Sequence, residues 1–388
     1  MNEAKQMHDE LLNELQSILP RTVYQDVRRL STLVWAMVGL CLTNTVRLSA
    51  WAEVQLSRAQ YAASRVRRFS RWLHHPAISP FQWYKPLLQA ALINWPSHRG
   101  LYVALDTTAL TPFVLIRASL VYRGRAIPLT WRALRHKSTS VSFEVYRPVL
   151  EQVRAILPPD AVITLLADSG FANEQLLHYL QEHHWHFRIR LPGSILVHLS
   201  ERSICAVRQL CPPTGQERFL GPVAIFGTAV GPVHLALARL IASPDDPWFV
   251  VSDEPTSAQT WKEYGWRFDT EEIFLDEKSG GYQIQTSDNA TPEAVERLIL
   301  ILAMTTVHLT SIGVEVVQAE KRRYVDTHWD RGLSYFKIGW RWRRQQYQRS
   351  WSAFASFELD PAPDPLPVFA SRRAFDREKN HIPFQTAA

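Results

Sequence analysis

The strongest constraint on the fold comes from four side chains spaced three, four and seven residues apart: Tyr264, Arg267, Glu271 and Lys278. At about 100° per residue, a helix would place all four within an arc of roughly 60°. The neighbouring Glu272 would point away from this stripe. One carboxylate flanked by two cations and a phenol is unsuited to an apolar core, but it suits a phosphate grip beside a metal-binding acid. The stripe therefore predicts a helix that faces a polar site.

Two aspartates follow short apolar runs that are typical of buried strands. Asp106 comes directly after residues 101–105, and Asp168 comes directly after residues 161–167. A strand end holds a carboxylate on rigid backbone and leaves its oxygens open to solvent or to a metal. Asp106, Asp168 and Glu271 are thus predicted to meet in one pocket, where such a set of acids suits a pair of magnesium ions.

This combination resembles the DDE transposases of bacterial insertion sequences that carry the Tyr-Arg-Glu-Lys signature. The matching spacing is Tyr-x2-Arg-x3-Glu-x6-Lys, preceded by one strand-end aspartate and by Asp-x-Gly-Phe at residues 168–171. A spaced four-position motif together with two correctly ordered aspartates is specific, whereas either part alone is weak. The similarity covers about residues 100–285, with a weaker likeness in the N-terminal part.

The resemblance implies an α/β fold: an RNase H-like catalytic core of a mixed sheet with flanking helices, a β-rich insertion before the glutamate helix, and an all-helical N-terminal domain. It implies cut-and-paste DNA transposition by two-metal-ion phosphodiester hydrolysis and transesterification. By position, Asp106, Asp168 and Glu271 would be the catalytic ligands of two Mg²⁺ ions, for which Mn²⁺ could substitute. The residues that would hold DNA phosphates near the cleaved end are Tyr264, Arg267 and Lys278.

The order of predicted elements agrees with that fold. The helical period changes at residue 101, where three meandering strands are followed by a helix, a strand, a helix and a strand. Short strand-like pieces punctuated by Gly and Pro then interrupt this alternation. The predicted divisions are a helical DNA-binding domain at 1–97, the catalytic core at 98–192 and 247–312, a β-strand insertion at 193–246, and a basic, aromatic C-terminal region at 313–388.

A cationic segment lies within the predicted N-terminal domain. Residues 58–72 hold five arginines and no acid. A compact helical domain with one cationic helix fits the binding of DNA ends. The alternative is a solvated charged face. The residues predicted to contact DNA are Arg65, Arg67, Arg68 and Arg71.

The C-terminal region is also cationic, and it is rich in aromatic residues between 321 and 347. Arginines and aromatic rings together favour contact with nucleic acid or with another subunit. The alternative is an amphipathic helix whose Trp side packs on the core. The tail after Asp360 contains four alternating prolines, so we expect it to extend over the surface or fray.

Composition limits the class of protein. The net charge of +6 weakly favours a polyanionic partner. Three cysteines are too few and too irregular for a disulfide framework or a four-ligand zinc site. The N-terminus lacks the pattern of a secretory signal, and the apolar stretch 298–317 is interrupted by Thr, His and Ser, so we expect a buried core helix. A cytoplasmic, nucleoid-associated bacterial protein is the expected setting.

The expected partners are double-stranded DNA, as terminal inverted repeats and target, and a second copy of the chain in a synaptic homodimer. Two other classes remain open: an RNase H-like metal-dependent nuclease or resolvase without strand transfer, and a non-catalytic DNA-binding descendant of a transposase. A glycosidase is a distant third, because it would not call for Arg and Lys beside the glutamate. His183, His184 and His186 lack a matching ligand spacing and are interpreted as surface residues.

Overall fold

The computed structural model describes residues 3–136, 138–200, 202–275, 282–286, 291–351, 354 and 357–366. The helices are α1 (Glu3–Ile18), α2 (Arg21–Tyr24), α3 (Val27–Thr43), α4 (Leu48–Val54), α5 (Ala62–Leu73), α6 (Pro80–Ala91), α7 (Phe143–Ile156), α8 (Glu174–Glu182), α9 (Ala258–Gly265), α10 (Asp269–Leu275), α11 (Pro292–Gln318) and α12 (Tyr335–Gln345). The strands are β1 (Leu101–Leu110), β2 (Phe113–Tyr122), β3 (Arg125–Leu134), β4 (Ile163–Ala167), β5 (His186–Arg190), β6 (Leu196–Ser200), β7 (Ser203–Ala206), β8 (Glu217–Ile225), β9 (Val230–Ala238) and β10 (Trp248–Ser252).

Five strands in the order β3-β2-β1-β4-β5 form one half of a continuous sheet. The first three strands are an antiparallel meander, whereas β4 and β5 run parallel to β1. Parallel neighbours require crossover connections, and α7 and α8 supply them. This order of strands and crossover helices is the RNase H-like arrangement, so the predicted fold class is confirmed.

The segment between β5 and β10 extends this sheet. The strand order continues as β10-β9-β8-β6-β7, and each of these pairs is antiparallel, as is the pair of β5 with β10. The strand-like pieces predicted after residue 192 are therefore β6 to β9. They are joined to the core edge to edge through β10, so one ten-stranded sheet results.

Helix α11 is the central helix of the fold. It begins at Pro292, where the Thr291 side chain accepts a hydrogen bond from the Ala294 N–H group, and most of its 27 residues are buried. Among the described residues, α11 has the length and apolar composition to cross a membrane, and so would α3 with α4 if that pair, bent by 97°, were one span. Because 94% of the apolar window of α11 is buried within the protein, it is a core helix, as predicted.

Helix α12 packs against α11 at very short range. A Cβ atom on Gly339 would overlap the Leu309 carbonyl oxygen, and one on Gly313 would overlap the Tyr335 carbonyl oxygen. Trp340 and Trp342 are buried on the same helix. In the basic, aromatic C-terminal region, the tryptophan side of the helix thus packs on the core, which is the alternative that the sequence left open.

The first described helix and the last described segment pack on the same core. A single cluster of buried side chains runs from Ala4 in α1 through the sheet to Leu359. Residues 357–366 are held in place as an extended strap, in which the Leu359 N–H group donates to the Ala91 carbonyl oxygen of α6. Phe357 and Leu359 are buried. After Asp360, the Ala362 and Leu366 carbonyl oxygens accept from Arg123 and Arg331, so residues 361–366 extend over the surface, and the rest of the tail lies outside the described residues.

Candidate functional site

Asp106 and Asp168 lie side by side on neighbouring parallel strands. The β1–β4 ladder ends at the pair of Leu105 with Ala167, and the two aspartates are the next residue on each strand. The prediction that the first strand ends at Asp106 is wrong, because β1 continues to Leu110. The reason is its second neighbour: the antiparallel ladder with β2 goes on after β4 has ended.

The carboxylate of Asp106 is mostly buried, with 15% of the side chain exposed. Its Oδ1 accepts from the Thr107 N–H group at 2.8 Å, and its Oδ2 lies 3.2 Å from the Thr270 hydroxyl and 3.6 Å from Arg267 Nη1. Burial raises the pKa of Asp106; Arg267 works against this rise, and the nearby Asp168 charge adds to it. A cation at this edge of the sheet would offset the cost of the buried charge.

Asp168 also has a local structural role. It is the N-cap of a short 3-10 helix, Ser169–Phe171, and its Oδ1 accepts from the Gly170 N–H group at 2.6 Å. Capping a turn in this way is a common role for an aspartate. A carboxylate has two oxygens and about four lone-pair positions, so capping through one oxygen is compatible with binding a metal ion.

Glu271 lies on a helical segment that differs from the predicted one. Helix α9 starts at Ala258, six residues before Tyr264, because Ser257 caps it, and a 3-10 turn, Trp266–Phe268, separates α9 from α10. Trp266 packs edge-on against Tyr102 of β1, with ring centroids 4.5 Å apart. The predicted single helix from residue 264 to 278 is therefore wrong at its start and in its continuity.

Arg267 joins Glu271 to Asp106. Its Nη2 atom lies 3.3 Å from Glu271 Oε1 and its Nη1 atom lies 3.6 Å from Asp106 Oδ2. Although burial lowers the pKa of Arg267, Tyr264 and the two acids raise it above its usual range. The guanidinium is buried, whereas Glu271 is 51% exposed. The third acid is thus tied to the same sheet edge as the two aspartates, with its carboxylate facing solvent.

Tyr264 is a core residue here. It is buried in a small cluster with Ala236, Val250 and Trp261, and its ring meets Trp248 edge-on with centroids 5.6 Å apart. Burial raises the pKa of its phenol. The aromatic ring supports the Arg267 guanidinium from one side, at 5.8 Å from its centroid.

Lys278, the last member of the stripe, lies outside the described residues.

The three acids form an all-oxygen donor set, which is the type that Mg²⁺ and Mn²⁺ prefer. Asp106 and Asp168 are level on adjacent strands, and the raised pKa of Asp106 reflects a buried charge with insufficient compensation. Glu271 supplies a half-exposed carboxylate on the other side of Arg267. Among the described residues, however, these three acids are not a group whose ligand atoms all lie within 4.8 Å of one another, because Arg267 stands between Glu271 and Asp106. The structure thus brings Asp106 and Asp168 together, and Glu271 would have to leave Arg267 to share a divalent cation with them.

The cationic N-terminal segment forms helix α5, with its arginines divided between two environments. Arg67 and Arg71 are exposed, and Arg65 is half-buried. Arg68 packs inward, where its Nε donates to the Thr32 hydroxyl of α3 at 2.9 Å, and burial lowers its pKa. Two of the four predicted DNA contacts are thus exposed, whereas Arg68 holds α5 to α3.

A second cluster of metal-ligand type lies at the other end of the central strands, near the start of β4 and β5. His186 Nδ1 is 2.7 Å from Asp253 Oδ2 and 3.7 Å from Glu254 Oε2, and the three side chains are close enough to share an ion. His186 pairs with Thr164 at the start of β4, four residues before Asp168. At about 3.3 Å per residue, the two sites are some 13 Å apart along the strand. The sequence did not predict this group, because Asp253 and Glu254 follow β10 and are more than 60 positions from His186 in the chain.

Arg188 occupies the centre of this second cluster. Its Nη2 atom donates to Glu254 at 2.6 Å and its Nε atom donates to Glu263 at 2.8 Å. Arginine thus already compensates part of the carboxylate charge. The cluster is therefore a candidate metal group separate from the three acids that the sequence predicted.

Two residues that the sequence did not single out hold α10 on the sheet. Thr270 is buried, and its hydroxyl donates to the Arg267 carbonyl oxygen at 2.7 Å and lies beside Asp106. Arg117, the cross-strand partner of Asp106 on β2, is buried with its guanidinium 4.1 Å from the Phe274 ring centroid. A Thr next to the glutamate and an Arg within a strand carry no distinctive spacing, so only the structure reveals them.

Comparisons with known proteins gave the following similarities. No curated protein sequence matches the chain significantly. Over its full length, the chain aligns with 87% of one chain in a structure described as "Cryo-EM structure of piggyBac transposase synaptic complex with hairpin DNA (SNHP)", with a TM-score of 0.43 and 10% identity. Residues 133–307 match the family described as Transposase DDE domain. This range includes Asp168 and Glu271, and so the chain contains a region similar to that domain.

Proposed function

We propose that this protein is a DNA transposase that cuts and joins the ends of a mobile element in a divalent-metal-dependent reaction. The observation that carries the proposal is the placement of Asp106 and Asp168 on adjacent strands, with Glu271 tied to the same edge through Arg267. The match of residues 133–307 to the Transposase DDE domain supports it independently.

In this proposal Asp106, Asp168 and Glu271 would hold two Mg²⁺ ions, for which Mn²⁺ could substitute. When bound, the metal supplies an activated water and stabilises the leaving 3′ oxygen. Asp106 and Asp168 are held by the ends of the β1–β4 ladder, so their carboxylates need little reorganisation to bind. Glu271 lies on α10 with half its side chain open to solvent, where DNA can approach.

Arg267 and Lys278, the two cations of the stripe, would contact DNA phosphates. Arg267 is buried between two acids, and its planar guanidinium can turn from one oxygen acceptor to another of like geometry, such as a phosphate. Tyr264 supports that guanidinium and does not attack DNA. Lys278 would contact the phosphate backbone farther along. Exposed Arg67 and Arg71 of α5, together with Arg65, would contact DNA ends.

The setting follows from the same proposal. The partners are double-stranded DNA, as the inverted repeats and the target, and a second copy of the chain, since two ends require two active sites. The protein would be that of a bacterial insertion sequence, acting in the cytoplasm on the nucleoid.

The test uses a plasmid that carries the DNA flanking this protein's own gene on both sides. We expect magnesium-dependent excision and joining by the wild type, with neither in EDTA. Asp106→Asn, Asp168→Asn and Glu271→Gln should each reduce cleavage by about a thousandfold or more, as removal of a catalytic group does. Binding to end DNA should stay within about threefold of the wild type, since the acids do not contact the bulk of the backbone.

Glu272→Gln is the matched control, because this acid is adjacent on α10 but lies 3.5 Å from Arg125 Nη2 on the side of β3. It should cleave like the wild type. Wild-type cleavage by any of the three acid variants would remove that residue from the site. Cleavage without joining would identify a nuclease or resolvase, and binding without cleavage would identify a non-catalytic DNA-binding protein.

A further inference from the structure

The connection between α11 and α12 presents an exposed tryptophan. Trp329 is 79% exposed, which is unusual for this residue type in a folded protein. The guanidinium of Arg323, also exposed, lies over its ring at 4.7 Å from the centroid. An accessible indole face beside an arginine is a typical surface for stacking a planar, electron-rich ring.

The loop that carries Trp329 is held in one shape by an arginine. The Arg322 side chain donates to the carbonyl oxygens of His328, Trp329 and Asp330 at 3.2, 2.6 and 2.9 Å. It also donates to Asp326 at 2.9 Å. Three successive carbonyl groups are thus fixed by one side chain, so the backbone at Trp329 is ordered before any ligand binds.

A buried acid closes the same loop. Asp326 is fully buried, and it accepts from the N–H groups of His328 and Gly332 at 3.1 and 3.0 Å. Arg341 of α12 donates to the Val325 carbonyl oxygen at 3.0 Å. Together these contacts hold the loop in one conformation, in which the Trp329 indole is exposed to solvent.

The exposed positive charges around the loop favour a negatively charged ligand. Between Lys321 and Arg344, three arginines are exposed against one exposed acid, Asp330: Arg323, Arg341 and Arg344. The other three arginines pair with acids: Arg322 with Asp326, Arg331 with Asp364, and Arg343 with Glu10. A phosphate-bearing ligand would be attracted here, and the exposed ring would stack on the base attached to it. Bases inside a duplex stack on one another, whereas an unpaired base offers a free face to the indole.

We propose that Trp329 and Arg323 form a binding site for an unpaired DNA base, displayed on the rigid loop between α11 and α12. The inference deepens the proposed transposase function, because an enzyme that cuts DNA ends exposes unpaired bases. Stacking would hold such a strand while its phosphates contact the cations of the region. Each stacked base of this kind commonly contributes about tenfold or more to affinity.

The test measures binding by fluorescence anisotropy in EDTA, so that no cleavage is needed. The probes are a 20-nucleotide oligothymidylate, a blunt duplex, and the same duplex with one unpaired thymine. We expect Trp329→Ala to bind the oligothymidylate and the bulged duplex about tenfold more weakly, with less than about a twofold change for the blunt duplex. Trp329→Phe, which keeps a stacking ring, should retain most of the affinity.

Ile241→Ala is the matched control, because Ile241 is an equally exposed apolar side chain in the loop before β10; it should bind all three probes like the wild type. A 2-aminopurine at the unpaired position should be quenched by the wild type and not by Trp329→Ala. Unchanged affinities in Trp329→Ala would overturn the inference. So would a change in sedimentation alone, which would assign Trp329 to a subunit contact.

The transposase function and the base-binding site at Trp329 can be told apart by these experiments. A wild type that binds none of the three probes would count against both. A wild type that cleaves its end DNA in magnesium, while Trp329→Ala binds every probe normally, would overturn only the base-binding site.

Discussion

At the scale of single residues, Asp106 shows a conflict between stability and the proposed chemistry. Burial raises its pKa, so the folded protein holds a proton at Asp106 more tightly than the unfolded chain does. The free energy of unfolding attributable to this residue therefore falls as pH rises between the two pKa values. Asn at this position would keep one oxygen to accept from the Thr107 N–H group, and its NH2 group could donate to the Thr270 hydroxyl oxygen, whose hydrogen is given to the Arg267 carbonyl, while the buried charge is removed.

We accordingly expect Asp106→Asn to be more stable than the wild type at neutral pH in EDTA, by on the order of 1 kcal/mol. The advantage should disappear at low pH, where the wild-type carboxyl is protonated, and magnesium should stabilise only the wild type. Thermal unfolding across pH, with and without Mg²⁺, measures both effects. Asp245→Asn, an exposed acid, serves as the control. A variant that is less stable than the wild type at neutral pH would show that Arg267 outweighs burial.

The sequence is informative about residues whose role depends on local spacing. Asp106 and Asp168 could be placed together because each follows an apolar strand and parallel strands end at a common edge. The burial of Arg267 could not be foreseen, because helical spacing gives a direction around the axis and says nothing of what lies there. The same holds for Thr270, whose contact with Asp106 joins parts of the chain that are 164 positions apart.

At the scale of elements, the contact of α11 with α12 depends on glycine. Gly339→Ala would place a methyl group into the Leu309 carbonyl oxygen, so the helices would have to move apart. We expect a loss of about 1–3 kcal/mol in the free energy of unfolding, the usual cost of overpacking. Urea denaturation measures it. Gly227→Ala is the control, since nothing lies within 4 Å of a Cβ atom there. Equal midpoints for the two variants would show that the helices adjust without cost.

Helices and strands could be predicted where the helical or the strand period dominates the sequence. The residues at which they begin and end could not be predicted in the same way. Strand β1 passes Asp106 because β2 offers it hydrogen bonds, and that partner is not visible in β1's own residues. The helical segment around Tyr264 is broken by a 3-10 turn where Trp266 meets Tyr102, which is again a contact between distant residues. The tryptophan side of α12 left two interpretations open until α11 was seen to cover it.

At the scale of the whole molecule, the described parts of the chain share one core. The buried cluster includes residues from α1, the sheet, α11 and α12, and it extends to Leu359 in the strap. The strap touches widely separated elements: Asp360 accepts from Arg123 at the β2–β3 turn, and Asp364 accepts from Arg331 and Tyr335. These contacts tie the strap to the sheet and to the beginning of α12, so we expect the described parts of the chain to unfold in one cooperative transition.

The ion pair between Arg123 and Asp360 tests that linkage. The Nη2–Oδ2 distance is 2.8 Å, and the Arg123 side chain is almost wholly buried, so the pair is little screened by solvent. A double-mutant cycle of Arg123→Ala with Asp360→Ala should give a coupling energy of about 1–3 kcal/mol by urea denaturation. The exposed pair of Lys5 with Asp9 in α1 is the matched control and should give about 0.5 kcal/mol or less. If the two cycles gave equal couplings, the strap would lie on the surface without stabilising the core. A second unfolding transition in Asp360→Ala would show instead that the N-terminal helices and the sheet unfold separately once the strap is loosened.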